Sequence, residues 1–175
     1  LNAGRSRFTL ATLPASEFPT IEEIELVEQI SLPESALKEL MDRTAFAMAN
    51  QDVRYYLNGL LLDLQENHLR CVATDGHRLA LAETTLATKI GTRRQIIIPR
   101  KGVMELIGLF EAGDGEVALE FGRNHLRVRR GDVVFTSKLI DGRFPDYEAV
   151  IPIGADKEIG LERESLRAAL QRAAI

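Results

Sequence analysis

An internal repeat constrains this chain more than any other feature of its sequence. The same pattern occurs twice, at residues 32–40 and at residues 98–106. Each copy begins with an apolar residue and a proline, and apolar residues at helical spacing follow. The tetrapeptide Asn-His-Leu-Arg occurs at residues 67–70 and again at residues 124–127. Each copy predicts a strand, a helix and then three strands, over about residues 24–86 and 95–140. A third copy begins at residues 159–166 and ends within its predicted helix.

The repeat also predicts a fold class and domain bounds. Two copies make an α+β domain in which two helices, residues 33–48 and 99–111, lie on one face of a six-strand antiparallel sheet. A longer period relates Phe8-Thr9 to Phe135-Thr136 and Phe18-Pro19 to Phe144-Pro145. Residues 22–150 are then a complete middle domain, residues 1–21 the end of a preceding domain, and residues 151–175 the truncated start of a following one. The predicted strands include residues 4–13, 24–32, 55–64 and 77–83.

Composition narrows the class of protein. The chain is 45% hydrophobic and 27% charged, with a net charge of −4, so the total does not indicate a generic basic nucleic-acid binder. Charges are nevertheless grouped, because basic residues cluster at positions 93, 94, 100 and 101 and acidic ones at positions 22, 23, 25 and 28. A single cysteine, Cys71, excludes a disulfide framework and fits a reducing cytoplasm. No apolar run is long enough to span a membrane, and no signal peptide is visible.

Polar side chains are concentrated at one predicted hairpin end. Asp75-Gly76 joins two β-prone runs and predicts a two-residue turn with positive φ at both positions. Three interpretations compete for this site. The polar end is simply solvated, or Asp75 and His77 form an acid–base pair, or Leu79 is the wall of a recognition groove whose polar rim is Thr74, His77 and Arg78.

The rest of the chain offers little catalytic chemistry. It has no glycine-rich phosphate loop ending in Gly-Lys-Ser or Gly-Lys-Thr and no cysteine–histidine spacing typical of a metal site, so no cofactor is expected. Arg100 and Lys101 begin the second predicted helix, where the helix dipole adds to their positive charge. Gln51, Tyr55 and Tyr56 follow the first predicted helix and offer a polar, aromatic surface. These features favour a binding or scaffolding protein that contacts phosphates without reading bases.

Four motifs carry a resemblance to a known family. They are residues 51–59 (QDVRYYLNG), 74–79 (TDGHRL), 98–102 (IPRKG), and 135–139 (FTSKL) with 141–147 (DGRFPDY). In this order they strongly resemble the bacterial DNA polymerase III β subunit, the family of sliding clamps. The resemblance covers essentially the whole chain. It implies the DNA-clamp fold and a ring-shaped homodimer that has no catalytic activity, encircles duplex DNA and tethers the replicative polymerase.

The resemblance also implies two sets of site residues. The partners would be the catalytic subunit of DNA polymerase III, the clamp loader and repair polymerases, each inserting a short peptide into a groove between the second and third domains. The middle-domain part of that groove would be Arg54, Leu57, Thr74, Gly76, His77, Arg78, Leu79, Pro145 and Val150. The residues facing DNA would be Gln51, Tyr55, Tyr56, Arg100 and Lys101.

An alternative stays open at this point. A repeat scaffold or a hydrolase could share the domain and use Asp75 and His77 as a working pair. Because family rings close through the first and third domains, the 175-residue chain by itself is not expected to form the ring dimer.

Overall fold

The computed structural model describes residues 1–18, 25–110 and 115–174, which form two compact units, residues 1–142 and residues 143–175. In the first unit the strands are β1 (Asn2–Ala3), β2 (Ser6–Arg7), β3 (Glu28–Pro33), β4 (Gly59–Gln65), β5 (His68–Thr74), β6 (Leu79–Thr85), β7 (Arg94–Pro99), β8 (Glu116–Phe121), β9 (His125–Arg130) and β10 (Val133–Lys138). The α-helices of this unit are α1 (Glu34–Thr44) and α2 (Arg100–Leu109). Short 3-10 helices cover Ala15–Glu17, Ala45–Ala47 and Tyr55–Leu57.

The order of elements confirms the repeat. β3, α1, β4, β5 and β6 are followed by β7, α2, β8, β9 and β10, which is the predicted strand, helix and three strands, twice. In both copies a proline ends the first strand and the helix begins at the next residue, Glu34 or Arg100. Proline suits this position because its fixed φ leads into the helix and the missing N–H has no partner there in any case.

The predicted six-strand sheet is wrong, because the strands form two four-stranded sheets. One sheet has the order β10-β9-β8-β3, and the other has the order β6-β5-β4-β7. Each three-stranded meander thus receives its fourth strand from the other repeat, with Ile30 opposite Leu119 and Ile97 opposite Leu61. Sequence periodicity reports which face of a strand is buried, but it does not report which distant strand lies beside it.

Both helices pack on one continuous core and contact each other. Leu37 and Met41 of α1 and Val103 and Leu106 of α2 are fully buried, at the helical spacing seen in the sequence. On β4 the residues that face this core are Leu60, Leu62 and Leu64. The α+β class with antiparallel sheets is therefore as predicted.

Four predicted strands have different bounds. The strand predicted at residues 24–32 is β3, which begins at Glu28 although the structure describes the chain from residue 25. Residues 4–13 contain only β2, paired with β1. The strand predicted at residues 55–64 begins at Gly59, because reciprocal hydrogen bonds between Asp52 and the Asn58 side chain, 2.9 and 2.8 Å long, hold the preceding loop in another conformation. The strand predicted from residue 77 begins at Leu79. The predictions that involve residue 24, residue 111, Glu22, Glu23 and the domain boundary at 21 fall at least partly outside the described residues.

The second unit contains a 3-10 helix, Glu148–Val150, and a third helix, α3 (Arg163–Ala173). The Glu162 carboxylate caps α3 by accepting hydrogen bonds from the N–H groups of Glu164 and Ser165. This helix overlaps the predicted start of the third copy. Within the described ranges, no helix is both long and apolar enough to cross a membrane.

Candidate functional site

The β5–β6 hairpin ends in a four-residue loop rather than the predicted two-residue turn. Thr74 pairs with Leu79, which leaves residues 75–78 unpaired in the ladder. The Asp75 Oδ1 accepts hydrogen bonds from the N–H groups of His77 and Arg78, at 2.9 and 3.0 Å. Gly76 alone in this loop has a positive φ, +90°. An aspartate that bonds its own backbone in this way builds a turn without needing positive φ itself.

Thr74 closes the other side of the loop. Its hydroxyl donates to the Arg78 carbonyl at 2.7 Å and accepts from the Gly76 N–H at 3.1 Å. Of the groove residues in this hairpin, Gly76, His77 and Arg78 are exposed, whereas Thr74 and Leu79 are half-buried. The loop is therefore held in one shape by its own side chains while its polar rim faces outward.

Arg78 ties the loop to the segment after α1. Its Nε donates to Asp75 Oδ2 at 3.0 Å, and its Nη2 donates to the Phe46 carbonyl at 2.8 Å. The guanidinium carbon lies 5.6 Å from the centre of the Phe46 ring, a cation–π distance. Much of the hydrogen-bonding capacity of Arg78 is thus used within the protein.

Arg54 ties the same loop to the segment before β4. Its Nε and Nη2 donate to the two carboxylate oxygens of Asp52 at 3.0 and 2.8 Å, and its Nη2 also reaches the Asp75 carbonyl at 3.2 Å. A side-chain carbon at Gly76 would lie 2.9 Å from Arg54 Nη1, so the glycine lets the guanidinium approach. The side-chain and backbone hydrogen bonds from Arg54 lower the pKa of Asp52 from 3.8 to about 2.

An apolar face lies beside the loop. Leu61, Val72 and Ile97 face away from the main core on three neighbouring strands and are nevertheless buried. Leu79 and Leu81 continue this face on the edge strand β6, where Leu81 is 37% exposed. Leu57 is only 1% exposed, so the structure places it beneath the surface rather than on it. Pro145 and Val150 belong to the second unit, where both are exposed.

The geometry gives Asp75 a structural role. Hydrogen bonds from the N–H groups of His77 and Arg78 lower the pKa of Asp75, so its carboxylate stays ionised and engaged in its own loop. A general base needs a free oxygen and a pKa nearer to neutrality. In the described ranges, no group of three or more His, Cys, Asp and Glu residues is arranged to hold a metal ion.

The predicted DNA-facing residues lie at the same end of this sheet. Gly59 pairs with Pro99, and Arg100 and Lys101 follow at the start of α2. No acidic residue occurs in the first turn of α2, and neither Arg100 nor Lys101 forms an ion pair with a described residue. Their side-chain charges are thus available to an anion at the positive end of the helix dipole, although the Arg100 N–H itself donates to the Asn58 carbonyl at 2.9 Å.

The two tyrosines before β4 form a T-shaped pair with ring centres 5.8 Å apart. Gly142 packs on them, since a side-chain carbon there would lie 3.3 Å from both residues. Tyr55 is 56% exposed, and Gln51 is exposed with a φ of +58°. The five predicted residues thus occupy the helix start and the loop at one end of the β6-β5-β4-β7 sheet.

A family model gives this geometry its context. The model described as DNA polymerase III beta subunit, central domain, matches residues 31–146, which is more than half of the chain. The chain belongs to the DNA polymerase III beta subunit family. The match covers α1, α2, seven of the eight strands of the two four-stranded sheets in full and the last three residues of β3.

Individual clamp proteins agree with this membership. The beta sliding clamp of Pseudomonas aeruginosa is 53% identical over all 175 residues, which correspond to 48% of that protein. The crystal structure of the DNA polymerase III subunit beta from Pseudomonas aeruginosa superposes with a TM-score of 0.93, over 99% of this chain and 47% of that chain. A sliding clamp from the same organism bound to griselimycin has a TM-score of 0.90 and 53% identity, over 98% of this chain and 46% of that chain. The chain thus spans about half the length of these clamps.

Sequence reasoning missed two residues that shape the site. Asp52 holds the Arg54 guanidinium in place by hydrogen bonds. The Phe46 carbonyl accepts a hydrogen bond from Arg78, and the Phe46 ring packs against the Arg78 guanidinium. Asp52 stands inside the motif QDVRYYLNG, so the pairing of a carboxylate with an arginine two residues later was a usable signal. Phe46 had no such signal, because its contact with Arg78 joins residues 32 positions apart.

Proposed function

We propose that this chain is part of a DNA sliding clamp, the processivity factor of a bacterial replicative polymerase. The clamp would act in the cytoplasm as a ring-shaped homodimer of longer subunits around duplex DNA, and it would have no catalytic activity of its own. Membership in the DNA polymerase III beta subunit family supports this proposal. The observation that carries it is the fixed loop of residues 75–78 beside the apolar face of β6, a surface suited to a short partner peptide.

The groove would bind a peptide through an apolar wall and a polar rim. Leu79 offers half-buried apolar surface at the edge of the sheet, and Gly76 in the adjoining loop is exposed. His77 and the fixed guanidinium of Arg54 can direct peptide carbonyls. We assign Arg78 chiefly to holding the loop in shape, because Asp75 and Phe46 already engage it. Leu57 would support the wall from beneath, and Pro145 and Val150 of the second unit stay predictions of the family resemblance.

The DNA-facing part would bind phosphates without sequence preference. Arg100 and Lys101 supply charge at a helix start, and Gln51, Tyr55 and Tyr56 add polar and aromatic contacts. Such contacts position a duplex but do not read its bases. The proposed partners of the groove are the catalytic subunit of DNA polymerase III, the clamp loader and repair polymerases.

A Leu79→Ala substitution tests the groove in a protein of the relatives' full length that contains this chain. Short peptides with a few buried anchors reach about micromolar affinity, roughly −8 kcal/mol, and losing part of an apolar wall removes on the order of 1–3 kcal/mol. We expect isothermal titration with a clamp-binding peptide to show affinity reduced at least several-fold, with the melting temperature retained.

Val134→Ala is the matched control, since Val134 is 49% exposed on β10 of the other sheet. It should leave peptide affinity unchanged. Equal affinity in the Leu79 and Val134 variants would place the peptide site elsewhere on the protein. The 175-residue chain alone should bind the peptide poorly, because the proposed groove also needs the following domain.

A further inference from the structure

An arginine-lined cleft lies at the end of the β6-β5-β4-β7 sheet opposite to the candidate groove. Register places Gly59 and Pro99 at the groove end and Leu64 and Arg94 at the other end. The six residues of β7 separate the two ends by roughly 17 Å at about 3.3 Å per residue. The cleft has a volume of about 690 Å³ and is built from the start of β3, the start of β7 and the β8–β9 turn. It is therefore distinct from both surfaces assigned above.

Two of its three arginines are fixed by the protein. Arg93 donates to both carboxylate oxygens of the fully buried Asp63 side chain, at 3.0 and 2.5 Å. Arg94 lies 3.7 Å from a Glu28 carboxylate oxygen and packs over the Phe121 ring at 5.8 Å. Fixed guanidinium groups bind a carboxylate without losing further side-chain entropy.

The third arginine carries the available charge of the cleft. Arg123, in the β8–β9 turn, is exposed and forms no ion pair with any described residue. The turn brings it to the other two arginines although it is far from them in the sequence. On a chain with a net charge of −4, this cleft is a local basic site.

The outer edge of β7 borders the same cleft at Gln95. β7 is the edge strand of its sheet, and the carbonyl of Ile97 on that edge accepts a hydrogen bond from the Ile140 N–H at 2.9 Å. Alternate residues of a strand direct their backbone groups to the same edge, so those of Gln95 also face outward. Neighbouring side chains of a strand point to opposite faces, which places Arg93 and Arg94 on either side of this edge.

We propose that this cleft binds an extended acidic peptide of a partner protein, which would lie alongside the edge of β7. Backbone hydrogen bonds to Gln95 would hold the peptide, as in other additions of a strand to a sheet edge. Adjacent glutamate or aspartate side chains of the peptide would point to opposite faces and reach Arg94 and Arg123. Val27, which is exposed, also lines the cleft and can receive an apolar side chain.

The surroundings favour a peptide over a nucleic acid. Glu28 and Asp63 stand beside the arginines and would repel the continuous line of phosphates of a duplex, whereas isolated carboxylates can avoid them. A phosphate-binding surface typically presents several basic groups without acidic neighbours. The proposal does not depend on the clamp function, because it uses only the cleft and the strand edge.

The test is a titration of the ¹⁵N-labelled 175-residue chain with a blocked hexapeptide, Val-Glu-Glu-Leu-Glu-Val, followed by NMR. We expect the largest shift changes at residues 91–96, 122 and 123. The peptide with glutamine in place of glutamate should bind at least fivefold more weakly. Arg123→Glu should weaken binding of the acidic peptide at least fivefold, whereas Arg5→Glu, the same charge reversal at an exposed turn residue outside the cleft, should change it less than twofold.

Inorganic phosphate and a short DNA duplex serve as competing probes. If duplex DNA or phosphate causes larger shift changes at the cleft residues than the peptide does, the cleft is a phosphate-binding site and the peptide proposal is wrong. Equal binding of the glutamate and glutamine peptides, equal weakening in the two arginine variants, or shift changes outside the cleft would overturn it. If the NMR spectrum of Arg123→Glu showed that this variant is unfolded, the comparison of the glutamate and glutamine peptides on the unsubstituted chain would decide whether the proposal holds.

Discussion

Two features of the structure require glycine at position 76, namely its backbone conformation and its contact with Arg54. Its φ of +90° is unfavourable for residues with a side chain, and a side-chain carbon would lie 2.9 Å from Arg54 Nη1. We predict that Gly76→Ala lowers the free energy of unfolding by about 1–2 kcal/mol. Urea unfolding followed by circular dichroism measures this change.

Gly131→Ala is the control, because Gly131 also has a positive φ, +52°, but nothing lies within 4 Å of an added side-chain carbon. It should destabilise the chain less than Gly76→Ala does. Equal losses of stability in both variants would mean that backbone conformation, and not contact with Arg54, sets the requirement for glycine.

The ionisation of Asp52 tests the link between this loop and Arg54. Hydrogen bonds from Arg54 lower the pKa of Asp52 to about 2 from 3.8. The stabilisation by ionised Asp52 is therefore complete above pH 3.8 and is lost as the pH falls through about 2. We predict that Arg54→Gln raises the pKa of Asp52 towards its ordinary value, as measured by NMR titration of the side-chain carboxyl carbon.

Glu83 provides an internal reference for that titration. Its pKa is lowered by a hydrogen bond from Arg70, which Arg54→Gln does not touch. An Asp52 pKa that stays near 2 in the variant, with Glu83 unchanged, would show that the Arg54 side chain is not the cause.

Sequence reasoning located the loop at this scale but not its internal bonds. The string TDGHRL marked a polar hairpin end, and its residues lie at the candidate groove. The loop length was wrong because Asp75 uses its side chain to build the turn, a choice that depends on local hydrogen bonding. The sequence did not predict a role for Arg123, because only the folded β8–β9 turn brings this residue to the cleft that Arg93 and Arg94 line.

At the scale of the elements, each repeat depends on the other for a strand. β3 completes the sheet of the second meander, and β7 completes the sheet of the first. We predict that residues 94–142 alone do not fold. In that fragment β8 lacks its neighbouring strand β3, and the hydrophobic core lacks the side chains of α1. Far-UV circular dichroism of that fragment should show no cooperative thermal transition.

Addition of residues 25–90 should restore the transition, since that segment supplies β3 and α1. A cooperative transition in residues 94–142 alone would contradict the dependence. The sequence predicted both repeats because their helices follow the same proline and apolar spacing. It could not predict the exchange, because strand pairing between repeats joins residues far apart in the chain, such as Ile30 and Leu119.

At the scale of the whole molecule, the proposed ring holds DNA by enclosing it, so individual phosphate contacts add only a salt-dependent part. In a protein of the relatives' full length, replacing Arg100 and Lys101 by alanine should reduce the slope of log affinity against log salt by roughly 0.9 for each phosphate that is no longer neutralised. Fluorescence anisotropy with duplex DNA at several salt concentrations measures the slope. Glu105→Ala, an exposed change in the same helix, should not reduce it.

The 175-residue chain alone should not close a ring, because the proposed ring needs the first and third domains in full. Sedimentation velocity should show no stable dimer of the chain at micromolar concentration. A stable dimer would mean that residues within this chain supply a subunit interface.

The exchanged strand β3 also decides how the first unit would respond to mechanical force. Glu28 at the start of β3 pairs with Phe121, and Lys138 at the end of β10 pairs with His125, so both outer strands meet residues of the β8–β9 turn region at one end of their sheet. A pull applied between residues 28 and 138 would therefore act across the strands at that end and open their hydrogen bonds one after another. Hydrogen bonds that break singly resist less than bonds that must break together, so this sheet would open at a lower force than one pulled along its strands.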